Sequence, residues 1–268
     1  MNNSFKAIKN SQPDWQQNLK NALSDVHLQY NIEFEGDFCL INLNENRLLI
    51  NLVSIGNSFN PNDLLNLQNH FQLQNIKLVH LWEDVWLTKP QQVLARIKSL
   101  LGLNIRIHGR KTKIQKITKP VSDAFLNINH LQGTVSSRYK LGLFLKDQLV
   151  AVATFSALRQ MKHTENYKSA ELIRFAVKSG YSVTGGLSKL IVQFYDLQKP
   201  NDIMSYADRD WSAGAAYSKL GFEQTSILQP QFFTLDELLK RKIIKHEESI
   251  SPTNDIFNTG SLKYLLKF

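Results

Sequence analysis

One cysteine, Cys39, is all that 268 residues offer, so an internal disulfide and a cysteine-based metal cluster are both excluded. Cys39 falls in the apolar stretch at residues 38–43 and reads as a small core side chain. No apolar run approaches the ~20 residues a membrane-spanning helix needs, and residues 1–20 are polar, without the apolar centre of a signal peptide. A cytoplasmic protein with no membrane partner is expected. Prolines number 7 and never cluster, and no segment repeats or is of low complexity, which excludes a Pro-rich disordered tail and a solenoid. Acidic residues are the scarcer charge: 23 Asp and Glu face 32 Lys and Arg, a formal net charge of +9. Such a field draws polyanions, phosphate-bearing small molecules and nucleic acid alike.

What is present describes a folding, core-forming chain. Hydrophobic residues make up 43% and charged residues 21%, ordinary proportions for globular proteins. The length exceeds the ~100 to 150 residues of a typical domain, and two domains are expected, residues 1–108 and 109–268. In the first, residues 34–43 and 47–54 read as strands joined by the turn Asn44-Glu45-Asn46. A helix follows Pro61, residues 76–82 form a short buried strand, and a second helix opens at Pro90 with Val93, Leu94, Ile97, Leu100 and Leu101 at helical spacing before Gly102. In the second, residues 113–118 alternate as a strand, 121–128 form a helix, and 141–145 with 149–155 form a hairpin across Lys146-Asp147-Gln148. Residues 159–169 read as a loop and 171–177 as a strand. A glycine-bearing turn at 180–186 leads into the helix 187–197, then come a buried strand at 203–207, a short helix at 213–220 and a closing strand at 262–268.

Two segments carry chemistry. The first, SGYSVTGGLSKL at residues 179–190, joins a strand to a helix through Gly180, Gly185 and Gly186. Glycine lets a backbone approach a ligand closely, and the unpaired N–H groups of a helix start form an anion site suited to pyrophosphate. Val183, Thr184, Gly185, Gly186 and Ser188 are the candidate phosphate contacts. The second, SYADRDWSAGAAYSKLGF at 205–222, ends a strand in Asp208 and places Tyr217 on a short helix before Leu220-Gly221-Phe222.

A tyrosine, two intervening residues and Leu-Gly-Phe resemble the last motif of the GNAT acyltransferases, and the order of elements from Lys113 onward is similar to that fold. The resemblance implies acetyl-CoA or another acyl-CoA lying between the strands at 171–177 and 203–207, its pyrophosphate on the turn at 183–186. It also implies that Tyr217 protonates the leaving thiolate, which a phenol can do when held within hydrogen-bond reach. The turn departs from the family's usual spacing of basic residue and glycines. Asp208, at a strand's C-terminal end, is the carboxylate placed to orient or deprotonate an amine.

Three pieces, HLQG at 130–133, ELIRF at 171–175 and YADRDW at 206–211, resemble the Mom-type, DNA-modifying branch found in phages and mobile elements. His130, Arg174, Arg209 and Trp211 thereby become candidates for contacting substrate or nucleic acid. Arg110 and Lys111 join them from the basic cluster Arg106, Arg110, Lys111, Lys113, Lys116 and Lys119, which suits a DNA backbone as well as it suits a solvated linker.

The first half carries its own resemblance. Asp37 within EGDFCLINLNENRLLINL, and LVHLWEDVW at 78–86, look like the very-short-patch-repair branch of the PD-(D/E)xK nucleases, in which an aspartate at the position of Asp37 binds magnesium. Asn51 stands where an acid is needed, and no lysine or histidine follows in residues 52–59, so a degenerate nuclease-like module is expected. Glu35, Glu83 and Asp84 are the acids near enough in sequence to compensate. His80 with Glu83 and Asp84 lacks the helical spacing and second histidine of a zinc site, and no metal is expected there.

The chain thus reads as an α/β protein with mixed sheets, a nuclease-like α/β domain followed by a GNAT-like domain. The expected activity is acyl-CoA-dependent N-acyl transfer on or beside DNA. The alternatives are a magnesium-dependent endonuclease of phage or mobile-element type built on Asp37, and a catalytically inactive DNA-binding protein.

Overall fold

The computed structural model describes residues 15–43, 45, 48–162, 164–244 and 256–268. Over these residues it is mixed α/β, with seven α-helices and several sheets. The chain forms two compact units. One comprises Met1–Leu94 and Gln231–Thr259, the other Ala95–Pro230 and Gly260–Phe268. These are not the contiguous halves 1–108 and 109–268 expected from sequence, because a late segment rejoins the first unit.

The first unit opens with helix α1 (Trp15–Asp25), whose buried Trp15, Leu19 and Leu23 recur every four residues. Strands β1 (Tyr30–Glu35) and β2 (Phe38–Leu43) pair antiparallel. Residues 34–43 are therefore not one strand: Gly36, at φ +56, and Asp37 turn the chain between them. Strand β3 (Leu48–Val53) is buried along its whole length and pairs antiparallel with β2. Asn44 and Asn46 of the expected turn lie outside the described residues.

Asn60 caps helix α2 (Pro61–Leu73): its side chain accepts the Asn62 N–H, and Asp63 reaches back to the Asn60 N–H. Leu64, Leu67 and Phe71 form the buried stripe of that helix. Strand β4 (Lys77–Trp82) pairs parallel with β3 and completes the order β1-β2-β3-β4. Helices α3 (Glu83–Thr88) and α4 (Pro90–Leu100) follow, and the division between units falls within α4.

The second unit begins with the rest of α4 and strand β5 (Ile105–His108), then a single 3-10 turn at Gly109–Lys111 and strand β6 (Lys113–Lys116). Helix α5 (Lys119–Asn129) precedes the hairpin of β7 (Tyr139–Leu145) and β8 (Gln148–Phe155). The expected loop at 159–169 holds the short strand β9 (Arg159–Gln160) and the start of β10 (Lys168–Val177). After β10 comes β11 (Tyr181–Thr184), which pairs parallel with β5, so most of the stretch expected to be a turn is a strand.

Helix α6 (Gly186–Gln198) buries Leu187, Leu190, Ile191 and Phe194, the i, i+3, i+4, i+7 stripe that its sequence encodes. Phe194 stacks on Phe155 with ring centroids 4.0 Å apart. Strand β12 (Asp202–Asp208), helix α7 (Ala215–Ser218) and strand β13 (Glu223–Leu228) follow. Strands β14 (Phe232–Leu235), β15 (Arg241–Ile243) and β16 (Ile256–Phe257) form a three-stranded sheet in the first unit, where Phe233, Ile256 and Phe257 pack with Val53, Leu64 and Trp82. Strand β17 (Ser261–Lys267) returns to the second unit, between β12 and β13.

The path of the large sheet is β13-β17-β12-β10-β8-β7-β6. Along that path β10 runs parallel to β12 near the middle, and this junction fixes the site. Among the described residues no helix is long and apolar enough to cross a membrane.

Candidate active site at the fork between two parallel strands

Strands β10 and β12 share only three register pairs, Ser169 with Asp202, Ala170 with Ile203 and Glu171 with Met204. Beyond them β10 follows β8, and β12 follows β17 as far as Asp208. Ile173 is an extra residue in the β10–β8 ladder, because Leu172 faces Phe155 while Arg174 already faces Thr154. A bulge of this kind bends a strand and raises its twist. The two parallel strands therefore part, and main-chain groups on their facing edges leave the ladder.

Ser205 marks the point of divergence. Its buried hydroxyl donates to the Leu172 carbonyl at 2.9 Å, where the next register pair would fall. The same oxygen lies 2.9 Å from the Tyr217 hydroxyl. A carbonyl only accepts and a serine has one proton, so with Ser205 donating to Leu172 it is Tyr217 that donates to Ser205. Helix α7 holds Tyr217 between Phe222 and Tyr264, with ring centroids at 5.4 and 5.3 Å. Burial pushes the Tyr217 phenol above its ordinary range; the Ser205 hydrogen bond and the charges of Arg174 and Arg96 act against that rise.

Asp208 ends β12, as its place in the sequence predicted. Its carboxylate accepts from Gln132 Nε2 at 3.0 Å and from the Asp210 N–H at 3.1 Å. Arg174, on β10, donates through Nε to the Gly133 carbonyl at 3.3 Å and through Nη1 to the Ile173 carbonyl at 2.9 Å. The three pieces singled out in sequence, HLQG, ELIRF and YADRDW, thus meet at one place. His130 takes part indirectly: its Nδ1 accepts the Gln132 N–H at 3.1 Å and shapes the turn that delivers Gln132. Arg174 and Arg209 are both partly buried, which lowers their pKa values, while Glu171 near Arg174 and Asp210 near Arg209 raise them. Trp211 is 7% exposed, so its indole is packed inside the protein rather than presented for stacking on a base.

Four participants escaped the sequence reading. Gln132, Gly133 and Ser205 lie inside quoted motifs, but nothing local assigns them partners. Arg96 had a readable signal. It falls three residues after Val93 and four before Leu100, so a charge sits on the apolar face of α4. Its guanidinium is partly enclosed, and burial lowers its pKa while Asp208 and Tyr217 raise it.

The phosphate turn is narrower than expected. Val183 and Thr184 belong to β11, in register with Ile107 and His108, which leaves Gly185 and the first turn of α6. Gly185 occupies the left-handed region at φ +73, and no side chain caps the helix. A side-chain carbon at Gly186 would stand 2.7 Å from Val183 Cγ1, so that residue must be glycine for the helix to start against its own strand. Ser188 is exposed on the first turn.

Arg110 and Lys111, both exposed, occupy the 3-10 turn whose Gly109 packs against this same start: a side-chain carbon there would lie 3.0 Å from the Thr184 carbonyl oxygen. Lys189 Nζ fastens the two by donating to the Gly109 carbonyl at 3.1 Å and to that of Thr112. These two residues, which in sequence suit a DNA backbone as well as a linker, stand beside the candidate anion site.

The acids of the first unit are arranged otherwise. Asp37 lies exposed in the tight turn after Gly36. Glu83 accepts the Ile55 N–H at 2.8 Å, and the buried Asp84 accepts two hydrogen bonds from Arg241. Asn51 lies 3.1 Å from His80 Nδ1. Among the described residues no group of three or more His, Cys, Asp or Glu is placed to hold a metal ion.

No family model matches the chain, and no curated protein does. Several solved structures are similar to part of it. An acetyltransferase of Bacillus subtilis in complex with CoA aligns with 59% of this chain and 99% of its own, at 15% identity and a TM-score of 0.39. A GNAT family acetyltransferase of Elizabethkingia anophelis with acetyl-CoA bound aligns with 59% and 99%, at 13% identity and a TM-score of 0.40. An IAA acetyltransferase of Bacillus cereus aligns with 59% and 99%, at 15% identity and a TM-score of 0.36.

Proposed function

We propose that the second unit binds an acyl-CoA in the fork between β10 and β12 and transfers the acyl group to an amine, as GNAT acyltransferases do. One observation carries the reading: parallel strands that separate after three register pairs, with Tyr217 and Asp208 on the elements that flank the opening. The residues fit the ligand. Unladdered main-chain groups along the fork suit the amides of a pantetheine arm, and the uncapped N–H groups at Gly186, Leu187 and Ser188 suit a pyrophosphate.

Bound there, acyl-CoA supplies a thioester whose carbonyl carbon gains the bond to the amine nitrogen as its bond to sulfur breaks. Asp208 orients the amine and receives its proton. Tyr217 carries its proton at neutral pH, since burial raises its pKa, and gives it to the departing sulfur. For that donation the phenol turns its one proton from Ser205 to the sulfur, while the Ser205 hydroxyl, 2.9 Å away, marks the resting position of the phenol oxygen.

The acceptor is proposed to be a nucleobase amine on DNA. This rests on the net charge of +9, on the exposed Arg106, Arg110, Lys111, Lys113, Lys116 and Lys119, and on the resemblance of the motifs at the fork to a DNA-modifying branch.

Calorimetric titration of acetyl-CoA into the wild type, Gly185→Ala and Gly185→Glu tests the reading. Both variants carry the strain of a side chain at φ +73, so the contrast between them isolates the added negative charge. Binding by the wild type that Gly185→Ala weakens a little and Gly185→Glu abolishes is the expected result. A folded wild type that binds neither acetyl-CoA nor a longer acyl-CoA would remove the proposal.

A further inference from the structure

Gln132 carries the HLQG turn to the reacting end of the fork, and only half of its amide is engaged there. An ionised carboxylate accepts and never donates, so the amide meets Asp208 Oδ2 through Nε2, at 3.0 Å, and Oε1 is left over. Among the described residues no donor is placed on Oε1. Oxygen and nitrogen of a planar amide are about 2.3 Å apart, so Oε1 lies within about 5.3 Å of Asp208 Oδ2. Two hydrogen bonds of about 2.9 Å span that distance, and one nitrogen can donate to both oxygens at once. Holding Gln132 and the Asp210 N–H does not exhaust Asp208, because a carboxylate has about four acceptor sites.

The turn holds this amide in place. The Gln132 N–H donates to His130 Nδ1 at 3.1 Å, the Gly133 N–H to the His130 carbonyl at 2.9 Å, and the Gly133 carbonyl accepts from Arg174. Gly133 sits at φ +64, and a side-chain carbon there would stand 3.2 Å from Asn127 Oδ1, the atom that accepts the Thr134 N–H. His130 and Gly133 thus fix the backbone on both sides of Gln132, whose own side chain is exposed to an incoming ligand.

We propose that Asp208 and Gln132 Oε1 together hold the two N–H groups of a primary amine, and that Gln132 thereby restricts the acceptor to primary amines. This rests on the acyl-transfer reading of the same site. With both N–H groups held, the nitrogen lone pair is left to the thioester carbonyl carbon. As the C–N bond forms, the nitrogen gains positive charge and both N–H groups become stronger donors, so the two contacts tighten in the transition state. Asp208 takes one proton, and the product amide keeps the other, on Gln132 Oε1. A secondary amine has one N–H and leaves one of the two acceptors empty. The exocyclic amines of nucleobases are primary and uncharged, and meet the requirement.

Aniline and N-methylaniline are the probes. Both are uncharged at neutral pH, and the methyl group makes the second the better nucleophile in water, so a preference for aniline comes from the protein. The anilides formed from acetyl-CoA are measured by mass spectrometry for the wild type, Gln132→Met and Gln132→Glu. The wild type is expected to favour aniline about tenfold in kcat/KM, as one charge-assisted hydrogen bond implies. Gln132→Met fills the same space without an acceptor, so a preference made by hydrogen bonding falls to about one, whereas a steric preference stays. Gln132→Glu keeps one oxygen for the amine and turns the other towards Asp208, so the preference stays while two carboxylates share a proton. The pH of half-maximal kcat/KM should then rise by about one unit or more. A side chain that only shaped the turn would move neither the ratio nor the pH profile.

CoA affinity and thermal unfolding, expected to be unchanged, report the folding of both variants, and Gln132→Glu keeps the proposal answerable if Gln132→Met does not fold. Transfer to both amines without preference, a preference that survives Gln132→Met, or an unmoved pH profile in Gln132→Glu overturns the inference and leaves the acyl-transfer reading standing. Transfer neither to these amines nor to a DNA oligonucleotide, by a protein that binds acetyl-CoA, counts against that reading, and the inference falls with it.

Discussion

Arg241 and Asp84 are 157 residues apart in the chain and joined by two hydrogen bonds, Nε to Oδ2 at 2.7 Å and Nη2 to Oδ1 at 2.9 Å. Asp84 is 2% exposed, and the guanidinium lies over the rings of Trp82 and Phe233 at 5.6 and 5.4 Å. Fork-to-fork pairing of this kind fixes both side chains. It ties the late segment to the early sheet within the first unit, and it engages an acid that the sequence offered as a metal ligand.

Breaking this pair should be severe. Arg241→Met leaves the buried Asp84 carboxylate alone, at a cost of about 3 to 5 kcal/mol, whereas replacing both as Asp84→Leu with Arg241→Met should recover most of the loss. Urea unfolding of the two single variants and the double variant measures the cycle. A loss below about 1 kcal/mol in each single variant would show the pair to be as weak as a surface ion pair.

If Tyr217 is the acid of the proposed transfer, Tyr217→Phe should lower kcat by about a hundredfold or more while acetyl-CoA affinity stays the same, because the phenol would act on the leaving sulfur and not on the bound donor. Steady-state kinetics with a thiol reagent, together with calorimetry, separate the two. Unchanged kcat would relieve Tyr217 of the proton.

The same substitution has a pH signature. Burial holds the Tyr217 phenol above its ordinary 10.0, so the folded protein keeps a proton that the unfolded chain releases near that pH. The stability this contributes is whole below pH 10 and is lost as pH rises towards the folded value. Tyr217→Phe has no such proton. In urea titrations above pH 10 the wild type should lose stability faster than the variant. Tyr167 and Tyr206, whose pKa values are also raised, are common to both proteins and cancel in the comparison.

Lys189→Met removes the ammonium that fastens the 3-10 turn to the start of α6. Loss of charge-assisted bonds to two carbonyls should cost about 2 to 3 kcal/mol and weaken acetyl-CoA binding through the loosened turn. Thermal unfolding and calorimetry read the two effects. Lost stability with full affinity would show that the turn does not shape the anion site.

If DNA carries the acceptor, the exposed basic residues near the site should show in the salt dependence of binding. The double variant Arg110→Gln with Lys111→Gln should reduce the slope of log affinity against log salt by about 0.9 for each phosphate that the two side chains neutralise. Anisotropy of a labelled duplex, followed from about 50 to about 200 mM salt, measures it. An unchanged slope would place both residues outside any DNA path.

The sequence by itself determined the mixed α/β class and most of the elements, because those follow from patterns that neighbouring residues share. Helix α6 appears where Leu187, Leu190, Ile191 and Phe194 recur at helical spacing, and the β7–β8 hairpin turns at Lys146, whose φ of +55 suits a tight polar turn. It also marked the pieces that meet at the fork, since Asp208, Arg174 and Tyr217 lie in motifs long enough to recognise. What only the tertiary structure decided depends on pairings between distant residues, which no local pattern encodes. The separation of β10 from β12, the reach of Gln132 to Asp208 across 76 residues, the enclosure of Arg96 beside that carboxylate and the return of Arg241 to Asp84 all belong there. The expected turn at 180–186 became strand β11 for the same reason: its partner, β5, lies more than seventy residues earlier, and a strand without its neighbour has no signature in four residues.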